Sequence, residues 1–249
     1  MMLFRAGQRA AAAHYDCQGT THPGNRRPCN EDAVMSREDV GLWAVADGMG
    51  GHSAGDVASK AICDALQSVR LTGSLASRVD QVEDTLLHVN DALRIHGEQE
   101  CDGATVGSTV VALMLEQETG VVLWAGDSRL YRRRGSELDQ ITRDHNPVCD
   151  LLDSGAVSES QALAADTNVI TRAVGGQSGL TLDVALFDVR PEDTYMLCTD
   201  GLYRELDDAQ LGSALRLDEL AVASEWLLQR TLAGEARDNV SFMLVRKQG

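Results

Sequence analysis

The chain has 249 residues, 43% of them apolar and 24% charged, with a formal net charge of −16 at pH 7. Such a composition indicates a folded soluble protein, and the acidic balance excludes one that binds duplex nucleic acid through a basic face. No apolar run approaches the roughly 20 residues that cross a bilayer, and the N-terminus lacks the apolar core of a secretory signal. The six cysteines form no C-x-x-C pair, which is typical of reduced thiols in a cytoplasmic protein.

The order of apolar patterns predicts one α+β domain over residues 1–249, since no repeat, linker or low-complexity tract divides the chain. Strands are expected at 42–46, 109–115, 120–125, 129–133, 182–186, 195–198 and 240–245. Helices are expected at about 57–69, with Ser53 as the N-cap, and around 79–93, 148–152 and 217–231. Strands and helices that come in blocks, rather than in regular alternation, favour a layered α+β architecture.

Three smaller predictions concern burial. The alternation of Leu182, Val184 and Leu186 predicts a half-buried strand. The run 132–134 consists of three arginines and is predicted to be the solvated end of a hairpin rather than a docking surface. The tryptophans all lie in apolar runs and are predicted to be core residues: Trp43, Trp124 and Trp226.

Acidic residues recur where the predicted strands end. Three directly follow an apolar run, one precedes the last run, and a further pair stands in the N-terminal segment: Asp47-Gly48, Asp127-Ser128, Asp200-Gly201, Asp238 and Glu31-Asp32. Each alone is typical of a turn. If they meet at one sheet edge, two charges about 4 Å apart repel by about 4 kcal/mol at an effective dielectric near 20. Such a cluster protonates or separates unless divalent cations neutralise it, and oxygen ligands select Mg²⁺ or Mn²⁺.

The residues around these acids form a wider pattern of five segments: Arg27-x-x-Asn30-Glu31-Asp32, Asp47-Gly48-Met49-Gly50-Gly51-His52, Gly126-Asp127-Ser128-Arg129, Thr199-Asp200-Gly201 and Arg237-Asp238-Asn239. In this order they resemble the motifs of the metal-dependent type 2C protein phosphatases, over residues 14–245. The stretch 138–175 is similar to the bacterial members in particular, through Thr142-Arg143-Asp144-His145 and Ile170-Thr171-Arg172-Ala173-Val174-Gly175.

The resemblance implies a four-layer α-β-β-α sandwich, in which two central antiparallel sheets are flanked by helix pairs and a metal centre lies at one end. It implies two Mn²⁺ or Mg²⁺ ions, with Asp47 bridging them and the Gly48 carbonyl binding one. Asp200 and Asp238 would complete the protein ligands of the first ion.

The remaining acids have secondary roles by the same resemblance. Glu31 would hold the second ion through water, and Asp32 would orient that network. Asp127, together with Asp200, matches the acids that hold a third and weaker ion in bacterial relatives. Arg27 matches the arginine that grips the substrate phosphate, a role that suits a bidentate guanidinium.

The implied activity is hydrolysis of phosphoserine and phosphothreonine in proteins by a metal-bridging hydroxide, without a phosphoenzyme. The partners would be phosphorylated proteins and the Ser/Thr kinase whose action is reversed, and the chain would be a monomer. Two alternatives stay open, namely a catalytically inactive pseudophosphatase that acts as a binding module, and a metal hydrolase of a non-protein phosphate ester.

Four further features of the sequence bear on the site. Met49 stands where animal relatives have a histidine thought to protonate the leaving group, and His52 is predicted to have a helix-entry or surface role. Residues 144–168 correspond to the variable flap, which could select substrates. Cys198 and Arg204 have the spacing of a tyrosine-phosphatase loop, but this spacing is expected by chance, so Cys198 is predicted to be a core residue.

Overall fold

Two antiparallel sheets form the centre of the computed structural model, which describes residues 15–50, 54–153 and 169–248. The five-stranded sheet contains, in spatial order, β1 (Tyr15–His22), β11 (Val240–Lys247), β10 (Thr194–Cys198), β7 (Arg129–Arg134) and β8 (Glu137–Gln140). The six-stranded sheet contains β2 (Asp32–Arg37), β3 (Leu42–Met49), β5 (Val110–Glu116), β6 (Thr119–Ala125) and β9 (Asp183–Asp188), with β4 (Gly107–Ser108) paired to the end of β3.

Helices cover the outer faces of both sheets. Among the described residues the helices are α1 (Ala54–Ser68), α2 (Leu75–Glu100), α3 (Pro147–Asp153), α4 (Asp200–Tyr203), α5 (Asp208–Ala214) and α6 (Leu220–Leu232). Helices α1 and α2 pack on the six-stranded sheet, and helices α4 to α6 pack on the five-stranded sheet. The four-layer α-β-β-α sandwich expected from the sequence is therefore confirmed.

Strand β3 shows why the central strands are apolar throughout. Trp43 and Val45 point into the core between the sheets, whereas Leu42, Ala44 and Ala46 pack against the α1–α2 layer. Both faces of the strand are covered, so both sets of alternating side chains must be apolar. Trp43 and Trp124 are buried as predicted, at 0% and 6% exposure.

The half-buried strand predicted around residues 182–186 is confirmed as β9 but with its opposite face buried, and the predicted burial of Trp226 is wrong. Val184 and Leu186 are 42% and 72% exposed, while Ala185 and Phe187 pack into the core between the sheets. β9 is the edge strand of its sheet, and the described residues leave its outer face largely open. Trp226 lies on the solvent face of α6 and is 38% exposed, so it is not a core residue.

The arginines of the run 132–134 are not all solvated, which corrects a third prediction. Nε and Nη2 of Arg134 both donate to the Asp193 carboxylate at 2.6 Å, and the Asp193 side chain is fully buried. Arg132 donates to Asp139 at 2.8 Å. The side chains of Arg132 and Arg134 are each only 16% exposed, so they form structural ion pairs.

The described residues also bear on the membrane and redox predictions. No helix among them combines the length and the apolar character that a bilayer span requires. All six cysteines are free thiols, and Cys198 is buried as predicted. The predicted N-cap Ser53 lies outside the described residues.

Candidate metal and phosphate site

The acids predicted from the sequence come together where strands of both sheets end. The antiparallel pairing places the end of β10 beside the start of β11, and Asp32 at the start of β2 opposite Asp47 near the end of β3. A pocket of about 280 Å³ opens at this edge. Its lining contains seven of the eight predicted site residues: Arg27, Glu31, Asp47, Gly48, Asp127, Asp200 and Asp238. Five other residues complete the lining: Met49, Gly50, Thr109, Ile170 and Asn239.

Asp47 is fixed by the strand that follows it in the sheet. Its backbone N–H donates to Oγ1 of Thr109 at 3.0 Å, and its carbonyl accepts from the Thr109 N–H at 2.9 Å. The Ser108 hydroxyl donates to the same carbonyl at 2.9 Å. These three bonds hold the Asp47 backbone against residues 108–109, which orients its carboxylate at the strand end.

Asp32 lies behind the pocket rather than in its lining. It is 6% exposed, and its Oδ2 accepts a hydrogen bond from Oγ1 of Thr199 at 3.0 Å. Thr199 directly precedes Asp200, so this bond ties β2 to the loop that presents Asp200. Asp32 is thus placed to orient its neighbours.

Burial and mutual repulsion raise the pKa values of these carboxyls. Burial raises the pKa of Asp32 to about 7, partly opposed by hydrogen bonds from Ser241 and Thr199. Burial also raises the pKa of Asp47 well above its ordinary value, and the charges of the neighbouring aspartates add to the rise. The pKa of Asp127 rises to about 6 through burial and the charge of Asp200. The pocket therefore holds several buried carboxyl groups whose charged forms are unfavourable unless a cation neutralises them.

Two arginines offset part of this charge. Nη2 of Arg27 contacts Oδ2 of Asp238 at 2.8 Å, and the Arg27 side chain is 51% exposed at the rim. Nη2 of Arg204 lies 3.1 Å from Oδ2 of Asp200 and 3.6 Å from Oδ2 of Asp127. Burial raises the pKa of Asp200, although the Arg204 charge lowers it.

The donor set of the pocket suits hard divalent cations. Oδ1 of Asp32 and Oδ1 of Asp200 are buried and accept no hydrogen bond from any described residue, so these oxygens keep lone pairs that are free to accept. An oxygen-only ligand set with four aspartates and a glutamate is typical of Mg²⁺ or Mn²⁺.

The carboxylates are not arranged around a single point. Within residues 15–50, 54–153 and 169–248, no group of three His, Cys, Asp or Glu side chains could hold a metal ion in its present arrangement. Instead, Oδ2 of Asp238 lies against Arg27, and Oδ2 of Asp200 lies against Arg204.

The turn that carries Asp127 is held by a buried histidine. The Gly126 N–H donates to Nδ1 of His145 at 3.0 Å, so the ring proton belongs on Nε2, which lies 3.2 Å from Oδ2 of Asp183. Arg172 donates to the other oxygen of Asp183 at 2.6 Å. This chain of contacts connects the Asp127 turn to residues that follow the flap.

Close backbone approach explains two glycines of the site motifs. A Cβ at Gly48 would overlap the carbonyl of Gly55, because α1 begins directly against the end of β3. A Cβ at Gly201 would overlap the carbonyl of Asn239, because the turn after β10 packs on the start of β11. Glycine therefore lets Asp200 and Asp238 share one pocket.

The sequence prediction missed the roles of three residues at the site. Arg204 bridges two acids. Asn239 donates from Nδ2 to the carbonyls of Pro23 and Cys29 at 3.0 and 2.9 Å, which holds the loop that carries Arg27. Thr109 positions Asp47. Asn239 stands inside a quoted motif and could have been found there, and Arg204 lies four residues after Asp200. Gly51, His52 and residues 154–168 of the flap lie outside the described residues.

Comparison with known proteins identifies the family. The Protein phosphatase 2C profile matches residues 18–233, which is most of the chain. The chain belongs to the protein phosphatase 2C family. Stp, a serine/threonine phosphatase of Listeria innocua, is 29% identical over 236 residues, which are 91% of this chain and 94% of that protein.

Solved structures agree with the 2C fold. PppA, described as a key regulatory component of T6SS in Pseudomonas aeruginosa, has a TM-score of 0.87 at 38% identity, over 95% of this chain and 99% of that one. The catalytic domain of the serine/threonine phosphatase PstP, in complex with two manganese ions, has a TM-score of 0.82 at 30% identity, over 94% and 99% of the two chains. The expected family, fold and enzyme class are confirmed, whereas the role of each site residue stays a prediction.

Proposed function

We propose that this 2C-family protein is a Mn²⁺- or Mg²⁺-dependent phosphatase that hydrolyses phosphoserine and phosphothreonine in proteins. The observation that carries the proposal is the pocket in which Asp47, Asp127, Asp200 and Asp238 meet beside the exposed guanidinium of Arg27. Its relatives include serine/threonine phosphatases, one of them with two bound manganese ions.

The acids of the pocket would bind the metal ions and keep them in place. Asp47, Asp200, Asp238 and the Gly48 carbonyl would ligate the ions, with Glu31 acting through water and Asp127 serving a third ion. When bound, such ions lower the pKa of water and neutralise charge on the phosphate. Asp32, buried against Thr199, would keep the ligands oriented.

Arg27 would bind the substrate phosphate at the rim of the pocket. Its Nη2 is engaged by Asp238, while the remaining N–H groups belong to a side chain that is half exposed. A phosphate beside the acids would gain two charge-assisted hydrogen bonds from this guanidinium. The Asp238 contact would hold the guanidinium in place before substrate arrives.

Phosphate release from a phosphothreonine peptide tests the proposal, with Mn²⁺, with Mg²⁺ and with excess EDTA. The expected result is metal-dependent release that EDTA and the Asp47→Asn variant abolish. Asp84→Asn is the matched control, since Asp84 is an exposed acid of α2 and its variant should keep full activity. Arg27→Ala should raise KM for the peptide.

The alternatives give different results in the same assay. Folded protein that binds Mn²⁺ but releases no phosphate would indicate a pseudophosphatase. Faster release from nucleoside phosphates than from the peptide would indicate a hydrolase of non-protein phosphate esters. Either result would refute the proposed activity.

The remaining features of the proposal are a single catalytic domain over residues 1–249, a monomeric state, a cytoplasmic location and a cognate Ser/Thr kinase as the opposing enzyme. The six free thiols are consistent with a reducing compartment. Light scattering tests the monomer, and cell fractionation tests the location.

A further inference from the structure

Arg204 occupies a specific position between two acids of the pocket. It follows α4, and its Nη2 atom lies 3.1 Å from Asp200 and 3.6 Å from Asp127. Its side chain is 37% exposed, whereas those of Asp127 and Asp200 are 7% and 13% exposed. The guanidinium therefore closes this acid pair on its solvent side.

The neighbouring residue fixes the direction of the Arg204 side chain. The Tyr203 hydroxyl donates to the Asp127 carbonyl at 3.0 Å, and the Arg129 guanidinium lies 3.6 Å from the centre of the Tyr203 ring. Arg129 is itself held by two hydrogen bonds to Asp144, at 2.9 and 2.8 Å. Helix α4 is thus anchored to the Asp127 turn, which keeps Arg204 beside both carboxylates.

The two arginines of the pocket differ in what they contact. Arg27 pairs with one carboxylate, Asp238, and half of its side chain is exposed. A single nitrogen atom of Arg204, Nη2, contacts two carboxylates and so takes the position of a bridging cation. An ion such as Mg²⁺ bound by both carboxylates needs oxygen atoms about 2.0–2.1 Å away, so it cannot share this position with a guanidinium.

We propose that Arg204 is a tethered cation that competes with a divalent ion for the Asp127–Asp200 pair. The inference rests on the proposed function, because it assumes that the pocket binds divalent ions. The guanidinium neutralises one negative charge and repels an incoming ion. Its partial exposure allows it to swing into solvent, so the ion that uses Asp127 binds only at concentrations high enough to displace it.

Mn²⁺ binding to the full chain, measured by titration calorimetry and by the electron paramagnetic resonance signal of free Mn²⁺, tests this inference. The variant Arg204→Gln removes the charge and keeps a side chain of similar length. Its weakest Mn²⁺ dissociation constant should fall about tenfold or more below that of the wild type, while the tighter ions bind as before. Arg204→Lys, which keeps the charge, should retain a weak site.

Two further variants make the test specific. Arg70→Gln makes the same change of charge at an exposed residue after α1, which runs away from the pocket, and should leave every Mn²⁺ constant unchanged. In an Asp127→Asn background, the Arg204→Gln change should lose its effect, since the pair on which it acts is broken.

The outcomes separate this inference from the proposed function. Tight Mn²⁺ binding by the wild type, with an unchanged or weaker last constant in Arg204→Gln, would overturn the inference alone. A raised KM for the phosphothreonine peptide with unchanged Mn²⁺ binding would assign Arg204 to the substrate and also overturn it. A wild-type chain that binds no Mn²⁺ would overturn both.

Discussion

Replacing Asp127 by asparagine should stabilise the metal-free protein. Asp127 is 5% exposed, and burial, followed by the charges of Asp200 and Asp144, raises its pKa from 3.8 to about 6 in spite of the nearby Arg204 charge. Asparagine has nearly the same shape and stays neutral. The backbone carbonyl that accepts from Tyr203 is unaffected by the change.

The size and sign of the effect follow from this pKa. A carboxyl whose pKa is higher in the folded state loses stability as the pH rises from its unfolded value of 3.8 to about 6, and the loss is complete above that range. At about 1.4 kcal/mol per pH unit, the ionised form costs the folded state about 3 kcal/mol. The variant avoids this cost, and its Tm in EDTA should rise by roughly 6–12 °C at neutral pH.

Thermal unfolding at pH 7.5 and at pH 4, with EDTA present, measures the effect. The gain should be large at pH 7.5 and should shrink to a small fraction towards pH 4, because the folded wild-type carboxyl is then protonated and the unfolded one is close to its pKa of 3.8. Asp193→Asn is the matched control, because Asp193 is buried but hydrogen-bonded by Arg134, Tyr195 and the Arg190 N–H. Burial raises the pKa of Asp193, but these partners outweigh it, and the net pKa is lowered.

The control should change stability in the opposite direction. Removing one partner of a buried ion pair costs about 3–5 kcal/mol, so Asp193→Asn should lower Tm. A metal-free Asp127→Asn protein that is less stable than the wild type at pH 7.5 would refute the reasoning, since it would mean that the Asp127 charge is well compensated in the fold. A gain that persists unchanged at pH 4 would refute the electrostatic cause.

Three other predictions concern the same region. Mn²⁺ should bind at least about tenfold more weakly at pH 5.5 than at pH 7.5, because the pKa values of Asp127 and Asp32 lie at about 6 and about 7. Binding should also release protons, which calorimetry in buffers of different ionisation enthalpy measures. His145→Ala should lower the free energy of unfolding by about 2–4 kcal/mol, since the buried N–H of Gly126 loses its acceptor and a cavity forms; urea unfolding shows whether it does. Gly201→Ala should force the turn after β10 away from β11 and weaken Mn²⁺ binding, whereas equal binding in calorimetry would show that the close approach is dispensable.

Much of the site could be predicted because it depends on the ends of strands. Asp47 and Asp200 each follow an apolar run, and Asp238 precedes one, so their positions relative to the sheets are fixed once the strands form. In an antiparallel pair, the end of one strand lies beside the start of the next, as β10 and β11 show. The resemblance to the 2C phosphatases then supplied the division of the strands into two antiparallel sheets, which apolar patterns alone do not determine.

The sequence pattern did not identify the buried face of β9 or the existence of strand β1. In β9, both faces carry apolar residues, Val184 and Leu186 on one and Ala185 and Phe187 on the other. The sequence pattern does not reveal which face meets the second sheet, and the larger Phe187 takes the buried place. Strand β1, with the sequence YDCQGTTH, has too few apolar residues to be recognised, because it is an edge strand whose stability comes from pairing with β11.

The role of Arg204 could not be predicted for a different reason. The chain contains 22 lysines and arginines, and apart from Arg27, which stands in a quoted motif, nothing in their spacing distinguishes those that meet the acid pocket. Arg204 reaches Asp200 only because α4 forms a helical turn between them, and it reaches Asp127 only because Tyr203 anchors that turn. The consequence is functional as well as structural. An acid pocket that binds cations must also fold without them, and the two arginines reduce the repulsion between carboxylates in that state. Asp47 has no such arginine contact among the described residues, and its pKa is raised well above normal, so its charged form gains most from a bound divalent ion.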